Sequence, residues 1–321
     1  MITAHRPFVI TAVITALAVV VLWLAPPIGF VACLALLVIV PPWGRSLAER
    51  AVISGIVVLA FIAIVFPRAG SMPIDAVSSR LALSALVIGV LALYAIPALR
   101  ATRIPRPRAT DAIVLATLLI ALGWAMSSYA GLAPDKLISG LFFAGWDNQG
   151  HFTAFANTYA SGSTTWPTVD GSTAWNQWYP SLHTTTWAVA QFAMDSTTYD
   201  RLGLVAEYWH WSAASFAASI AAFVWVGSDI ARRAARIRPA FAAAVAAVGI
   251  AVFVLLGSPQ FLLNSGFTNF VMGVAVVTTA AYISTRSARS SVSSWIAPLA
   301  IAQSARRHES HHPIPEHASF A

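Results

Sequence analysis

Apolar residues fill most of the chain in long runs, and short polar connectors separate these runs. A helix needs about 20 apolar residues to cross about 30 Å of hydrocarbon. The pattern therefore predicts an all-α fold, a polytopic transmembrane helix bundle of about eight spans. The spans are predicted at residues 8–25, 28–42, 51–67, 81–99, 111–130, 204–228, 239–257 and 267–285.

The first apolar run follows a weakly basic start at His5 and Arg6, a pattern that secretory signals share. Pro26 and Pro27 come directly after the run and disfavour cleavage there. We therefore expect a first transmembrane helix that is retained. The second run is short, so we expect it to form a tight hairpin with the first across the two prolines.

Residues 131–203 interrupt the apolar pattern with a polar, aromatic connector, far longer than packed helices require. Seven of the 12 tryptophans lie between Trp146 and Trp211, a content that argues against disorder. Helix-compatible patterns cover residues 147–159 and 181–194, which we predict as short surface helices. The stretch 161–178, rich in Ser, Thr, Gly and Trp, is predicted to be irregular.

The chain divides accordingly into four parts. A five-span membrane region, 1–130, precedes the connector, and a second membrane region, 204–303, follows it. The apolar stretch 295–302 begins like another span but gives way to the His-rich tail 304–321. A helix that stops inside a bilayer leaves backbone groups unsatisfied. We therefore expect the reading frame to be truncated or shifted, with a tail that is non-native or disordered. The alternative is a genuine soluble tail.

Composition and charge support a membrane protein. The chain has 58% hydrophobic and 10% charged residues, with a mean hydropathy of +0.72, which excludes a soluble globule. Of the 19 Lys and Arg residues, 13 lie at the N-terminus or in alternate connectors. Because such residues stay on the cytoplasmic side, we expect a plasma-membrane protein with a cytoplasmic N-terminus and an extracytoplasmic 131–203 loop. The same distribution explains the net charge of +7 without nucleic acid.

The most chemically suggestive residues open the first predicted loop helix. Asp147 and His151 are four residues apart, so a helix places them on one face. Such a pair can act in catalysis or bind a divalent cation such as Mg or Mn. Asn148 and Gln149 add hydrogen-bonding groups suited to substrate binding. The alternative is that Asp147 caps a surface helix and His151 is merely exposed.

A second cluster lies at residues 175–183. Trp175, Trp178 and Tyr179 offer flat aromatic faces, and His183 follows directly. Aromatic faces beside hydrogen-bonding groups suit sugar rings, so these residues are predicted to bind substrate. The alternative is an aromatic belt at the membrane interface.

Ionisable residues also border the sixth predicted span. Glu207 and His210 share a helix face near its outer end, and such residues are functional candidates in spans. The alternative is that both reach into the lipid headgroups. Asp111 and Asp229 border Arg clusters and are expected to cap helices or balance charge.

The motifs D-N-Q-G-H, at 147–151, and W-Y-P-S-L-H, at 178–183, resemble those of uncharacterised actinobacterial multi-pass membrane proteins. That family is similar in turn to the GT-C glycosyltransferases, and the likeness covers about 40 residues. The resemblance implies a polyprenyl-phosphate-linked sugar donor and a glycan acceptor in the cell envelope. It assigns Asp147 as base or metal ligand, assisted by His151. Tyr179 and His183 would line the donor phosphate or acceptor site.

Two other functions stay open. A transporter or flippase would place ionisable groups near the bilayer midplane, whereas the middles of the predicted spans are nearly free of charge. A non-catalytic envelope assembly protein would bind glycan or a partner through Trp175 and Trp178. Membrane lipid is an expected partner in every case.

Overall fold

The computed structural model describes residues 6–41, 43–44, 46–66, 72–95, 107–127, 129–145, 147–164, 182–195 and 199–287. Twelve helices and no strand occur among these residues, which confirms the all-α prediction. The helices are α1 (Arg6–Leu24), α2 (Pro26–Ile39), α3 (Leu47–Val65), α4 (Ala76–Ala95), α5 (Ala109–Ser127), α6 (Pro134–Ala144), α7 (Asp147–Ser161), α8 (Leu182–Met194), α9 (Leu204–Ala234), α10 (Pro239–Leu256), α11 (Ser258–Asn264) and α12 (Thr268–Ser287).

Six helices are long and apolar enough to cross a membrane, consistent with a multi-pass membrane protein. They correspond to the third to eighth predicted spans. The first two predicted spans are also helices, but their apolar stretches, Phe8–Leu24 and Pro26–Ile39, are shorter. The candidate crossing segments are Leu47–Val65, Ala76–Leu93, Ala109–Ser127, Leu204–Ala234, Pro239–Leu256 and Thr268–Arg286.

Helices α1 and α2 form the predicted hairpin. Pro26 begins α2 directly after the turn, where proline is tolerated because no helical N–H is lost. A Cβ added at Gly29 would overlap the backbone of Leu22. Glycine at this position therefore lets the two helices approach closely.

Two helices, α3 and α4, begin four or five residues earlier than the apolar pattern predicts, because polar caps extend them. Ser46 accepts a hydrogen bond from the Glu49 N–H, so α3 starts at Leu47. Asp75 accepts one from the Ser78 N–H at 2.7 Å, and α4 starts at Ala76. As a result, Arg80 lies inside α4 and not in the preceding connector, where the hydrophobic pattern had placed it.

Helix α9 is the central element of the bundle. It spans 31 residues and packs against α5, α7, α10 and α12. Five of its residues, at helical spacing along one stripe, have no exposed surface. They are Ala213, Phe216, Ala217, Ile220 and Val224.

The two short helices predicted within the 131–203 connector are present as α7 and α8. Both are embedded in the bundle: α8 packs against α2, α3 and α4, and α7 against α8 and α9. Each buries eight residues, because its apolar and aromatic side chains fill the space between these neighbours. The predicted irregular stretch, 161–178, lies outside the described residues from residue 165 onwards. The apolar stretch 295–302 and the tail 304–321 also lie outside the described residues.

Candidate functional site

Asn148 fixes the start of α7 inside the bundle. Its Nδ2 donates to the backbone carbonyls of Leu141, at 3.1 Å, and Asn264, at 2.9 Å. Its Oδ1 accepts from the Tyr208 hydroxyl at 2.8 Å. With 1% of its surface exposed, this one amide links α6, α7, α9 and the end of α11.

Gly266 allows the chain to pass close to this amide. Its φ of +95° lies in the left-handed region that glycine readily adopts. A Cβ at this position would lie 2.8 Å from the Asp147 carbonyl carbon, well inside van der Waals contact. The Gly266 backbone thus packs directly against the first turn of α7.

The imidazole rings of His151 and His183 meet at the contact between α7 and α8. Their centroids are 5.1 Å apart and the rings are nearly perpendicular. His151 is 4% exposed and His183 is 5% exposed. The alternative of a merely exposed His151 is therefore wrong, because the side chain points into the bundle. Two motifs that are distant in sequence converge at these rings.

Aromatic side chains hold the two histidines in place. The Trp187 ring lies 5.1 Å from the His183 ring and 5.7 Å from that of Tyr208, both edge to face. Its indole N–H donates to the Ser215 hydroxyl at 2.8 Å, which fixes the ring against α9. Trp211 donates likewise to Gln191 at 2.9 Å. These two hydrogen bonds join α8 to α9, and in both a Trp N–H is the donor, as is usual for a buried indole.

Burial lowers the pKa of His151, and the nearby Asp147 carboxylate only partly opposes that shift. The imidazole is therefore neutral near pH 7 and can accept a proton, a hydrogen bond or a metal ion. Asp147, the first residue of α7, is partly exposed, and Gln149 is exposed. The partly exposed Asp147 carboxylate thus lies one helical turn before His151, which belongs to the buried histidine pair.

Glu207 and His210 contact each other, with Oε2 and Nδ1 3.6 Å apart. Burial is the main cause that raises the pKa of Tyr159, and the charges of Asp195 and Glu207 add to it. The Tyr199 hydroxyl donates to Asp195 at 2.9 Å. This hydrogen bond is the largest of the causes that raise the pKa of Tyr199 to about 12; burial is the next, and the charge of Glu207 adds to them. Glu207 therefore belongs to an acidic, tyrosine-containing cluster between the end of α8 and the start of α9.

Three predicted substrate-binding residues, Trp175, Trp178 and Tyr179, lie outside the described residues. Within the described part of the chain, no group of three or more His, Cys, Asp or Glu side chains could hold a metal ion. A cation held by Asp147 and His151 would therefore need further ligands from a substrate or water.

Sequence reasoning missed a buried ionic cluster at the other end of α9. Asp229 accepts from Arg233 at 2.8 Å and from the Tyr282 hydroxyl, and it also contacts Arg232. Arg286 lies 3.2 Å from Asp229 and 3.0 Å from Glu49. The cluster joins α3, α9 and α12. The expected charge-balancing role of Asp229 is confirmed. Arg232 and Arg233, three and four residues later, indicated this role in the sequence, because a helix places them beside Asp229.

Asp111 also acts as expected, as a capping residue. Its two carboxylate oxygens accept from the backbone N–H groups of Ala48, at 2.9 Å, and Arg108, at 2.8 Å. The side chain thereby stabilises the start of α5 and joins it to the first turn of α3.

The fold and the polar cluster define a multi-pass helical membrane protein with buried histidines between two short embedded helices. Comparisons with protein-family models, with curated proteins and with solved structures found no match.

Proposed function

We propose that the protein is a GT-C-like membrane glycosyltransferase that uses a polyprenyl-phosphate-linked sugar to assemble cell-envelope glycan. The observation that carries the proposal is the contact between His151 and His183, whose rings lie 5.1 Å apart. It brings together the two motifs on which the resemblance rests. Asp147, one helical turn before His151, stands at the edge of this pair.

The proposed orientation puts this site at the outer face of the plasma membrane, with the N-terminus in the cytoplasm. The alternation of Arg-rich and Arg-poor connectors supports it. The Asp229 cluster, with Arg232 and Arg233, then lies at the cytoplasmic end of α9. The contacts of Asn148 and His151 lie near the start of α9, at the end of the bundle opposite to the Asp229 cluster.

In the proposed reaction, Asp147 is the general base. An acceptor hydroxyl oxygen attacks the anomeric carbon of the donor sugar, and its proton passes to the Asp147 carboxylate. The bond between the anomeric carbon and the phosphate oxygen breaks, and polyprenyl phosphate leaves with the electron pair. A positioned base of this kind accelerates a reaction by about 100-fold to 10,000-fold.

His151 would assist as a neutral imidazole, because burial lowers its pKa. As an alternative to base catalysis, Asp147 and His151 would together hold a divalent cation, Mg or Mn, whose remaining ligands would be donor phosphate oxygens and water. Such a cation would neutralise charge developing on the leaving phosphate.

Asn148 supports the site indirectly. It is 1% exposed, and its amide and carbonyl groups already bind Leu141, Asn264 and Tyr208. We therefore assign it to positioning Asp147 and His151. Gln149, His183, Glu207 and His210, with Trp175, Trp178 and Tyr179, remain proposed substrate-binding residues.

The test is a transfer assay on the full chain in nanodiscs, with a panel of polyprenyl-phosphate monosaccharides and envelope glycan fragments. Release of polyprenyl phosphate reports turnover whichever sugar is used. Asp147→Asn should lower the rate by about 100-fold or more. Asp135→Asn is the matched control, because this carboxylate belongs to the same connector and is 71% exposed; it should keep the wild-type rate.

Equal rates for Asp147→Asn and wild type would remove Asp147 from the mechanism. Uptake of the donor into proteoliposomes, without release of polyprenyl phosphate, would identify a transporter or flippase instead. Glycan binding that survives Asp147→Asn, without turnover, would identify an assembly protein.

A further inference from the structure

Arg80 is a buried cation within the candidate membrane span Ala76–Leu93. It is the fifth residue of α4, about 6 Å along the helix at a rise of about 1.5 Å per residue. Its residue surface is 8% exposed. The guanidinium faces α8, where its Nε lies 3.4 Å from the Ala193 carbonyl oxygen. The charge therefore lies at the boundary between α4 and the last turn of α8.

This guanidinium lacks an acidic partner in the described part of the chain. The ion pairs formed there do not include Arg80, and its Nη2 is buried with no hydrogen-bond acceptor. A buried charge without an anion is strongly destabilised. The Ala193 carbonyl could make Arg80 a simple C-terminal cap for α8. That contact is long, however, and engages one of five N–H groups.

Ser84 adds a second unused polar group on the same side of α4. It lies four residues after Arg80, so the two side chains share one helix face. It is 7% exposed, and its hydroxyl has no hydrogen-bond partner among the described residues. A guanidinium fork and a nearby hydroxyl together match an anion with several oxygens.

We propose that Arg80, with Ser84, binds the phosphate group of a membrane lipid at the end of the bundle where α4 begins. Arg80 lies in the second turn of a candidate membrane span, near its end, and guanidinium pairs bidentately with phosphate. This inference rests on the membrane character of the chain and not on the proposed transfer reaction.

The test measures lipid retention by the full chain with native mass spectrometry. The probes are phosphatidylglycerol, the diacylglycerol that lacks its phosphate headgroup, undecaprenyl phosphate and inorganic phosphate. Wild type should retain a phosphate-bearing lipid in preference to diacylglycerol. Arg80→Gln should weaken that retention by about tenfold, the effect of losing a hydrogen bond to a charged group. Arg201→Gln, which removes an exposed arginine, should not weaken it.

Several outcomes would overturn the proposal. One is equal retention of phosphatidylglycerol, undecaprenyl phosphate and diacylglycerol by wild type, a comparison that needs no variant to fold. A second is equal lipid retention by Arg80→Gln and Arg201→Gln. Binding of inorganic phosphate alone would exclude a lipid as the source of the anion. The 131–203 connector also carries Asp170, which lies outside the described residues. Retention by Asp170→Asn and not by wild type would show that this carboxylate pairs with Arg80 within the chain.

Two remaining outcomes support the proposal and identify the lipid. Arg80-dependent binding of both phosphate-bearing lipids indicates a general headgroup site, and binding of undecaprenyl phosphate alone indicates an isoprenoid carrier. Arg80→Lys, which keeps the charge but loses the bidentate fork, should give retention between those of wild type and Arg80→Gln. Because lipid binding is measured without turnover, this proposal and the transfer function can fail separately.

Discussion

The Tyr208 hydroxyl donates to Oδ1 of Asn148 at 2.8 Å, and this bond ties the central helix α9 to the first turn of α7. Both side chains are 1% exposed. Because the Asn148 Nδ2 also holds two backbone carbonyls, the bond belongs to a network in which each group depends on the others. The network thereby anchors the first turn of α7, the helix that carries Asp147 and His151.

Asn148→Ala should destabilise the protein by about 2 kcal/mol, because it removes the three hydrogen bonds that this buried amide makes. Tyr208→Phe removes one hydrogen bond and should cost about 1 kcal/mol. Unfolding in detergent, followed by circular dichroism, measures both. Gln149→Ala, on the exposed side of the same turn, should change stability by less than about 0.5 kcal/mol. An Asn148→Ala variant as stable as Gln149→Ala would contradict the anchoring role.

The buried His151 should make stability depend on pH. Its pKa is lower in the folded protein than its ordinary value of 6.5, so the unfolded chain binds more protons between the two values. Its contribution to stability is therefore complete above about pH 6.5 and is lost as the pH falls through the folded pKa. This loss of stability is tested by measuring unfolding midpoints from about pH 8 to about pH 5.5. Most carboxylates have pKa values below this range, so their titration contributes little to the change.

The matched variant is His151→Gln, which removes the titrating group and should flatten that dependence. Gln149→Ala, in the same helix, removes no titrating group and should keep the wild-type slope. A His151→Gln profile parallel to that of wild type would assign the pH dependence to other residues.

Asp229→Asn should be among the most destabilising single changes. It leaves Arg286, whose side chain is 14% exposed, with Glu49 as its other acidic contact among the described residues. Removing one partner from a buried ion pair costs about 3–5 kcal/mol. Asp135→Asn, at an exposed pair, should cost less than about 0.5 kcal/mol. Thermal unfolding of the two variants side by side gives the comparison, and equal midpoints would show that the cluster is not needed for stability.

The proposed orientation can be tested with single cysteines in a Cys33→Ala background. Asp135→Cys and Arg236→Cys place thiols at exposed positions in two connectors of predicted opposite sidedness. In intact cells, a membrane-impermeant maleimide should label the first and leave the second unlabelled until the membrane is opened. The reverse pattern would invert the topology and place the histidine site on the cytoplasmic side.

The sequence alone determined the all-α class, six of the apolar helices and the two short helices of the 131–203 connector. Each of these features depends on local patterns, such as apolar runs of bilayer length and polar caps at helix starts. The hydrophobic pattern also marked the opening residues of α7 as chemically unusual, since polar side chains there interrupt an apolar chain.

Only the tertiary structure decided which of those residues meet. Helix packing brings His183 of α8 against His151 of α7, buries Asn148 under Tyr208 and turns Arg80 towards α8. It also joins Glu49, Asp229 and Arg286 from three separate helices. These contacts depend on the rotation and depth of each helix within the bundle. Hydropathy specifies the length of a span but not the direction in which each side chain points, so the contacts cannot be read from it.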